Sequence, residues 1–563
     1  MIVDDSAAAI WRNSYRHPGQ WDVPPYVPLS LPDMLRETVE RTPNAPLIDF
    51  YGRKYSYADV WSAVRRVARG LQDRGVVKGD RVGLFLPNVP HYLAAYYGAL
   101  SIGATVVNFS PLYTVEELAQ QVRDSEPRLL ITISAKALLP TALKVIERTG
   151  LEQLIVGSVA GALPPAKSIL YRLFQSSQVS PVPHDGRVSA FSRLIANDGD
   201  FRPVEIDPEH DVALIQYTGG TTGLPKGAML THHNLSANAR QIAAIDPQIG
   251  APDRIMGVLP LFHIFANAVV LNRTVRMGGE IVMLPRFDAG QVLAAISRTK
   301  ATALPGVPTM YQALLDHPNL PRTDLSALRV CVSGGAPLSA ELKARFESVT
   351  GSIVTEGYGL TEGGITSVNP YEGLNKTGTI GQPLPGTTFA LVSKEDPTQP
   401  PPPGEPGEIV IQGPQVMQGY WRREAAVDSF VGGWLRTGDV GVIDEDGYIR
   451  IVDRLKDMIS VGGFKVYPSQ VEAVLYHHPD VREALVIGIP DTYRGEAPKA
   501  FVTLEEGSAV TGAELLAWLN PQLGKHERVV AVEVRESLPK TMIGKLSRKE
   551  LVAEELAKIA ATA

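Results

Sequence analysis

The chain is 563 residues long, carries 54 Lys and Arg against 60 Asp and Glu, and is 44% hydrophobic. At roughly 150 residues per domain, such a length holds several compact units with a large buried core, and its composition excludes a wholly disordered chain. A net charge of −6 argues against a general nucleic-acid binder, and a single cysteine excludes an internal disulfide framework or a multi-cysteine metal cluster, as suits a reducing compartment.

The start, Met1-Ile2-Val3-Asp4-Asp5, is acidic where a signal segment is basic, and Ala560-Ala561-Thr562-Ala563 matches no lipidation or peroxisomal address, so no targeting segment is expected. Apolar residues recur with helical spacing over 34–41 and 57–74, and short apolar runs at 81–85, 129–133 and 154–156 read as strands. The uncharged stretch 91–109 contains Gly98 and Gly103 and becomes strand-like at Ala104-Thr105-Val106-Val107-Asn108. It predicts a buried helix and a buried strand, not a membrane span. Further strands at 211–217, 254–259, 280–283, 302–304 and 329–332 point to mainly parallel strands buried on both faces. Near 385 the texture changes. Pro400-Pro401-Pro402-Pro403-Gly404 can join neither a helix nor a central strand, and runs at 408–412, 441–443 and 448–452, with the turn Asp446-Gly447, predict a β-rich subdomain. A helix at 468–477, strands at 484–487 and 500–504, a helix at 512–519 and a basic tail follow. The expected fold class is α/β: a large N-terminal domain over 1–452, in layered α/β subdomains with a β-rich subdomain at about 385–452, then a small α+β domain over 453–563.

Tyr217-Thr218-Gly219-Gly220-Thr221-Thr222-Gly223-Leu224-Pro225-Lys226-Gly227 follows an apolar strand and holds four glycines, three threonines and one lysine. Glycines let backbone N–H groups approach an anion, threonine hydroxyls add donors and Lys226 adds charge, which suits a polyphosphate better than a plain surface loop. The stretch is not a Walker-type loop, because Pro225 stands directly before Lys226. Gly357-Tyr358-Gly359 meets Glu362 where a dinucleotide fingerprint needs its third glycine, and no Gly-x-Ser-x-Gly elbow occurs. P-loop kinase, dinucleotide oxidoreductase and α/β-hydrolase readings weaken accordingly.

The loop resembles the phosphate loop of the adenylate-forming superfamily, which includes acyl-CoA synthetases, amino-acid adenylation domains and luciferases. Tyr358-Gly359-Leu360-Thr361-Glu362, Thr437-Gly438-Asp439, Asp453-Arg454-Leu455-Lys456-Asp457 and Pro539-Lys540-Thr541-Met542-Ile543-Gly544-Lys545 follow in that superfamily's order and spacing. The resemblance covers nearly the whole chain from about residue 30. It implies two half-reactions: ATP converts a carboxylic acid to acyl-AMP with release of pyrophosphate, and coenzyme A then takes the acyl group. It further implies Thr218, Gly219, Gly220, Thr221, Thr222, Gly223 and Lys226 around the phosphates, with Mg²⁺ associated with Glu362 and Thr222 and with Thr361 and Glu362 catalytic. Tyr358 and Gly359 would face adenine opposite Gly335, Ala336 and Pro337, Asp439 would accept the ribose hydroxyls, and Arg454 would complete the nucleotide site. Lys545, in the small domain, would bridge carboxylate and α-phosphate. Rotation of that mobile domain about the hinge Asp453 would withdraw Lys545 and present Gly462, Gly463 and Lys465 to the pantetheine arm. From the residues alone plainer readings stand beside these: Tyr358 as a core tyrosine, Thr437-Gly438-Asp439 as a turn, 460–465 as a hairpin tip, Glu362 as a loop acid, and Lys540, Lys545, Arg548 and Lys549 as a solvated cationic tail.

His263 stands in an apolar run, Leu259-Pro260-Leu261-Phe262-His263-Ile264-Phe265, where a lone histidine is usually a satisfied core residue. In the resembling enzymes this position gates the acyl pocket, and amino-acid adenylation domains carry aspartate there, so an amino-acid substrate is disfavoured. Ile264, Phe265, Ala266, Val269 and Val270, with Gly306, Val307, Pro308 and Gly334, would line an apolar pocket. The loop form and Pro285-Arg286-Phe287-Asp288 are most similar to bacterial medium- and long-chain fatty acyl-CoA synthetases. Arg273 and Arg276 keep a dicarboxylic acid open, and an aryl acid stays open too. Gln470 replaces a glutamate common in relatives, and Gly363-Gly364 follows Glu362 where bulkier residues are common, a change that could enlarge space near the carboxylate. A cytoplasmic enzyme acting on a small-molecule acid, ATP and CoA is expected, without nucleic-acid partners. The segment 167–174 has an apolar helical face flanked by cations, which is read first as packed on its own domain and second as weak contact with the inner membrane surface. A lysine acetyltransferase and deacetylase acting on Lys545 are a further expected pair of partners. The rival functions are an acyl-AMP ligase loading a carrier protein, although with 18 residues after Lys545 no carrier domain is expected here, and a non-catalytic nucleotide or lipid sensor.

Overall fold

The computed structural model describes residues 6–174, 178–183, 185–218, 225–248, 253–422, 429–462, 464–540 and 546–562. Contacts divide the chain into two compact units, Arg12–Thr388 with Gln412–Asp428, and Met1–Trp11 with Phe389–Ile411 and Ser429–Ala563.

The first unit is built on two large sheets. Among the described residues one sheet has nine strands, in the order Gln382–Pro383, Gly364–Val368, Ile353–Leu360, Val330–Gly334, Ala303–Gly306, Arg254–Gly257, Glu280–Met283, Pro46–Phe50 and Arg53–Ser56. The other has eight, in the order Gly419–Tyr420, Gly227–Thr231, Val212–Tyr217, Thr105–Asn108, Arg81–Leu84, Leu129–Ile133, Gln153–Gly157 and Val188–Ala190. The middles are parallel and the edges antiparallel, except that the edge strand Val188–Ala190 pairs parallel with Gln153–Gly157, so the continuous apolar runs sit where both faces are covered. The stretch 91–109 forms the helix Pro90–Leu100 and the fully buried strand Thr105–Asn108, as its composition predicts. Among the described residues no helix is long and apolar enough to cross a membrane. Gly98 is a packing necessity: a Cβ there would stand 2.6 Å from Val67 on the helix Tyr57–Gln72.

In the second unit, Thr388–Val392, Gly407–Gln412, Trp434–Ile443 and Phe430–Val431 form one sheet, with Ile449–Arg454 paired to Trp434–Ile443. A second sheet orders Phe464–Val466, Ile459–Val461, Gly495–Leu504 and Val481–Asp491, and Val532–Val534 lies parallel to Gly495–Leu504. Val466, Val471, Leu475, Val486 and Leu515 form its core beneath the helices Pro468–Leu475 and Gly512–Leu519. Two features differ from the sequence reading. The β-rich strands group by contacts with the C-terminal segment and Met1–Trp11 and not with 12–388, and Ser469 on Pro468–Leu475 donates back to the Val452 carbonyl and the Asp453 carboxylate. The end of the basic tail is a helix, Arg548–Thr562, that buries Leu551 completely.

Candidate active site

Val212–Tyr217 and Gly227–Thr231 form an antiparallel hairpin, closed where the Thr218 N–H donates to the Lys226 carbonyl at 2.9 Å. Gly219, Gly220, Thr221, Thr222 and Gly223 lie outside the described residues, as do Gly463 and Lys545. Half-buried Lys226 lies over the ring of Tyr420, with Nζ 5.0 Å from the centroid. Tyr420 pairs with Ala228 across the hairpin's outer strand, and its hydroxyl donates to Glu362 Oε1 at 2.7 Å. The Met417 N–H donates to the Glu362 carbonyl at 2.7 Å. Lys226 and Glu362, far apart in sequence, thus meet around Tyr420, a residue that no motif singled out. Among the described residues no cluster of three or more His, Cys, Asp or Glu could hold a metal by itself. Mg²⁺ does not need one: it takes one or two carboxylates, keeps water and uses substrate phosphates for the rest. A half-buried Glu362 beside the hairpin that carries Lys226, with one oxygen occupied by Tyr420, fits that requirement.

Glu362 follows the strand Ile353–Leu360 in a tight turn to Gly364–Val368. A Cβ on Gly359 would stand 2.3 Å from the Gly364 carbonyl, and Gly364 has φ +57° with Asn238 Oδ1 2.6 Å from where its Cβ would be. Asn238 accepts from the Ile365 N–H at 3.0 Å and donates to the Ile365 carbonyl at 2.7 Å. Gly364 therefore serves the turn's close packing, and this replaces the expectation that it enlarges space near the carboxylate. Thr361 is half-buried in the same turn.

Parallel pairing sets Gly334 opposite Gly357, so Tyr358 and the loop Gly335-Ala336-Pro337 lie at neighbouring carboxyl ends of one sheet, where α/β proteins bind ligands. Tyr358 is 9% exposed, and Gly335 adopts φ +84°. Behind them the Leu338 N–H donates to Glu356 at 3.1 Å; burial pushes the Glu356 carboxyl up, against that N–H and Lys343. Gly334 is needed for a different neighbour: its Cβ would stand 3.0 Å from the Phe265 ring. Gly306 similarly backs onto the Tyr311 ring.

His263 caps the turn into Ile264–Ala266: its Nδ1 accepts from the Phe265 N–H at 3.2 Å, which assigns the neutral ring's proton to Nε2. The preceding loop is pinned by Asn88, which donates to the Gly257 and Leu259 carbonyls (3.1 and 2.8 Å) and accepts from the Leu261 N–H (2.8 Å). Ile264–Ala266 runs directly into a π-helical segment, Asn267–Asn272, a departure that often marks functional helices. Ile264, Phe265, Ala266, Val269 and Val270 are all buried. Arg273 is not available to a second carboxylate: its Nη1 and Nη2 each lie 2.6 Å from Asp253 and Asp246, and all three side chains are at most 7% exposed. Asn88, Asn238 and Tyr420 are polar or aromatic residues outside any recognisable pattern, so only the fold identifies them.

In the second unit Asp439 and Arg454 stand opposite each other on paired strands, with Arg454 Nε 3.0 Å from a carboxylate that is 5% exposed. Asp453 accepts from the Ser469 N–H and hydroxyl, each at 2.9 Å, and from the Arg454 N–H at 2.7 Å. Gly462 turns the Ile459–Val461 and Phe464–Val466 hairpin with φ +58°, no atom lies within 4 Å of a Cβ placed there, and Lys465 is exposed. Two cations of the tail, Lys540 and Arg548, form ion pairs. Lys540 pairs with Glu483 at 2.6 Å, Leu546 bridges to Lys540, and Arg548 reaches both Glu472 oxygens (2.7 and 2.8 Å), Asp457 (3.1 Å) and the Val486 carbonyl (3.1 Å). For half-buried Arg548 these ties correct the solvated-surface reading, whereas Lys540 stays exposed.

Comparison with known proteins places these features in context. The model of the AMP-binding enzyme family matches residues 35–421, and that of the AMP-binding enzyme C-terminal domain matches 470–545. A long-chain-fatty-acid–CoA ligase of Bacillus subtilis is 41% identical over 544 residues, covering 95% of this chain and 96% of the relative. A feruloyl-CoA synthase of Amycolatopsis sp is 37% identical over 514 residues, covering 91% and 96%. Among solved structures, ATP-bound MatB from Rhodopseudomonas palustris superposes with a TM-score of 0.82 at 29% identity, covering 93% of this chain and 99% of that one.

Proposed function

Because the chain belongs to the AMP-binding enzyme family and is an AMP-forming acid–thiol ligase that uses ATP, Mg²⁺ and CoA, we propose that its acid is a medium- or long-chain fatty acid. One observation carries the substrate class: the run after His263 is apolar except for buried Asn267 and Asn272, which hydrogen-bond to each other at 2.8 Å, and Arg273 beyond it is consumed by Asp246 and Asp253. Each CH₂ buried against such a run contributes about 0.8 kcal/mol, which favours a long aliphatic tail over a small polar acid. The name of the Bacillus subtilis relative supports the same class, and the feruloyl-CoA synthase keeps an aryl acid as the second reading.

In the first half-reaction a carboxylate oxygen attacks the α-phosphorus, the bond to the β-phosphate breaks and pyrophosphate leaves. Both reactants are anions, so the site must supply positive charge where negative charge gathers. Lys226 and the hairpin N–H groups hold the phosphates, Lys545 bridges carboxylate and α-phosphate, and His263 offers Nε2–H beside the reacting acid. A Mg²⁺ at Glu362 would add charge neutralisation on the phosphates. In the second half-reaction the CoA thiol, losing its proton, attacks the acyl carbon and AMP leaves. Rotation about Asp453 then replaces Lys545 with Gly462 and Gly463, whose lack of side chains lets the pantetheine arm pass. Asp439 and Arg454 hold the ribose, and Tyr358 with Gly335-Ala336-Pro337 holds the adenine.

The cytoplasm, which supplies ATP and CoA, is the proposed location. Ile169 and Leu170, 61% and 52% exposed on the helix Pro165–Phe174, offer a weak contact for the inner membrane surface, which liposome flotation tests. Acetylation of Lys545 would remove its charge and stop adenylation. The deciding experiment is pyrophosphate release across aliphatic acids of about two to eighteen carbons, with aryl and dicarboxylic acids alongside and CoA present. Highest kcat/KM on medium or long chains is expected. A preference for ferulate-like or dicarboxylic acids overturns the substrate class, and pyrophosphate exchange without acyl-CoA would favour a carrier-protein acceptor.

A further inference from the structure

We propose that Tyr420 is a positioning residue for the phosphate and metal end of this site, orienting the Glu362 carboxylate through its hydroxyl while its ring seats the Lys226 ammonium. The inference rests on the reading of Glu362 as the metal-associated carboxylate. Tyr420 is itself firmly placed. The Gln418 N–H donates to the Met229 carbonyl at 3.0 Å and the Trp421 N–H to the Gly227 carbonyl at 2.8 Å, so the residue is held on both sides against the hairpin that carries the phosphate loop. Trp421 Nε1 donates to the Asp124 carbonyl at 3.0 Å. The same short segment fixes Glu362 twice, through the Met417 N–H to its carbonyl and through the Tyr420 hydroxyl to Oε1.

The chemistry follows from that geometry. A glutamate side chain has three torsions and loses entropy when it binds a cation; a hydrogen bond to one oxygen removes that freedom beforehand and leaves the other oxygen for the ion. Lys226 gains from the ring face in the same way, because an ammonium over an aromatic quadrupole is held without a counter-charge. The phenol acts as a spacer between an ammonium and a carboxylate, keeping both directed at ligand instead of at each other.

The test uses the full-length enzyme and calorimetric ATP affinity at varied Mg²⁺, with thermal midpoints measured in parallel. Tyr420→Phe is expected to weaken the Mg²⁺-dependent affinity about tenfold, the size of one lost hydrogen bond to a charged group, with an unchanged midpoint. Added to Glu362→Gln, the same change should cost less than about twofold, since a residue acting through Glu362 has nothing left to orient. Tyr420→Leu should further weaken Mg²⁺-free ATP binding about threefold, and Tyr420→Phe, which keeps the ring, should not. An equal effect of Tyr420→Phe in both backgrounds overturns the proposal. If Glu362→Gln alone leaves Mg²⁺ dependence at the native level, the reading of Glu362 fails, and this inference with it; if Glu362→Gln alters it and Tyr420→Phe does not, only Tyr420's role is lost.

Discussion

Arg273 separates a structural from a substrate-binding role most sharply. Arg273→Met keeps much of the side-chain volume and removes a guanidinium that bridges Asp246 and Asp253 at 2.6 Å each. The two carboxylates are not left equal. Asp246 keeps Arg329, at 3.0 Å to each oxygen, whereas Asp253 keeps chiefly the Thr302 hydroxyl. Breaking a buried pair in this way costs about 3–5 kcal/mol, mostly from the charge left behind. Unfolding entropy of about 2 cal/mol/K per residue gives a unit of about 390 residues roughly 0.8 kcal/mol per degree, so its thermal midpoint should fall by about 5 °C. The loss should depend on pH. In the native protein burial pulls the Asp253 carboxyl up, but Arg273, Thr302 and Arg329 outweigh it and hold the group below its ordinary value. A depressed carboxyl stabilises the fold above its unfolded pKa, near 4, and loses that contribution as pH falls through the folded value. Without Arg273 burial dominates and the folded value rises above the unfolded one, so the variant's deficit should be full near pH 7–8 and shrink toward pH 4. Differential scanning calorimetry at several pH values measures it. A variant with native midpoint and an altered preference for dicarboxylic acids would refute the structural assignment and return Arg273 to the acyl site.

The proposed division of labour predicts that Lys545→Ala slows acyl-AMP formation by about 10²–10³-fold while leaving thioester formation from supplied acyl-AMP nearly intact, and that Gly463→Leu does the reverse; single-turnover assays of each half-reaction distinguish them, and equal losses in both would count against a rotating domain. Arg548→Met strands Glu472, which is buried, and Asp457, so it should destabilise the second unit by about 3 kcal/mol, with the unit becoming protease-sensitive before the first does. Burial already raises the Glu472 carboxyl despite Arg548, so this penalty is expected to ease as pH falls and the acid takes up its proton.

What the sequence revealed was local. The strand, glycine-rich loop and lysine at 212–227 are contiguous, so a ligand class could be proposed for them from the sequence alone, and the flanking strands are seen to form a hairpin. The buried helix and strand at 90–108 were readable because an uncharged run with glycines has few other places to go. What escaped depends on partners brought in by the fold. Arg273 looks like an available cation until residues 20 and 27 positions away close on it, and Tyr420 gains meaning only from a carboxylate 58 positions upstream. Arg548 read as solvated because its ties to Glu472 and Asp457 span 76 and 91 positions. Helical spacing in 548–562 was masked by its cationic start, and the division of the chain into units depends on strand pairing, which residue texture near 453 does not encode.

The sheet order has a consequence for biosynthesis. Pro46–Phe50, with Leu47, Ile48 and Phe50 fully covered, takes Glu280–Met283 as its parallel neighbour, Ile48 against Ile281. A ribosome adding about 5–20 residues per second needs roughly 10–50 s to supply that neighbour, and the nascent apolar strand waits throughout. Polypeptides released before residue 280 would therefore carry a sticky, unmatched edge, and quality-control factors would meet this enzyme first at its amino-terminal end.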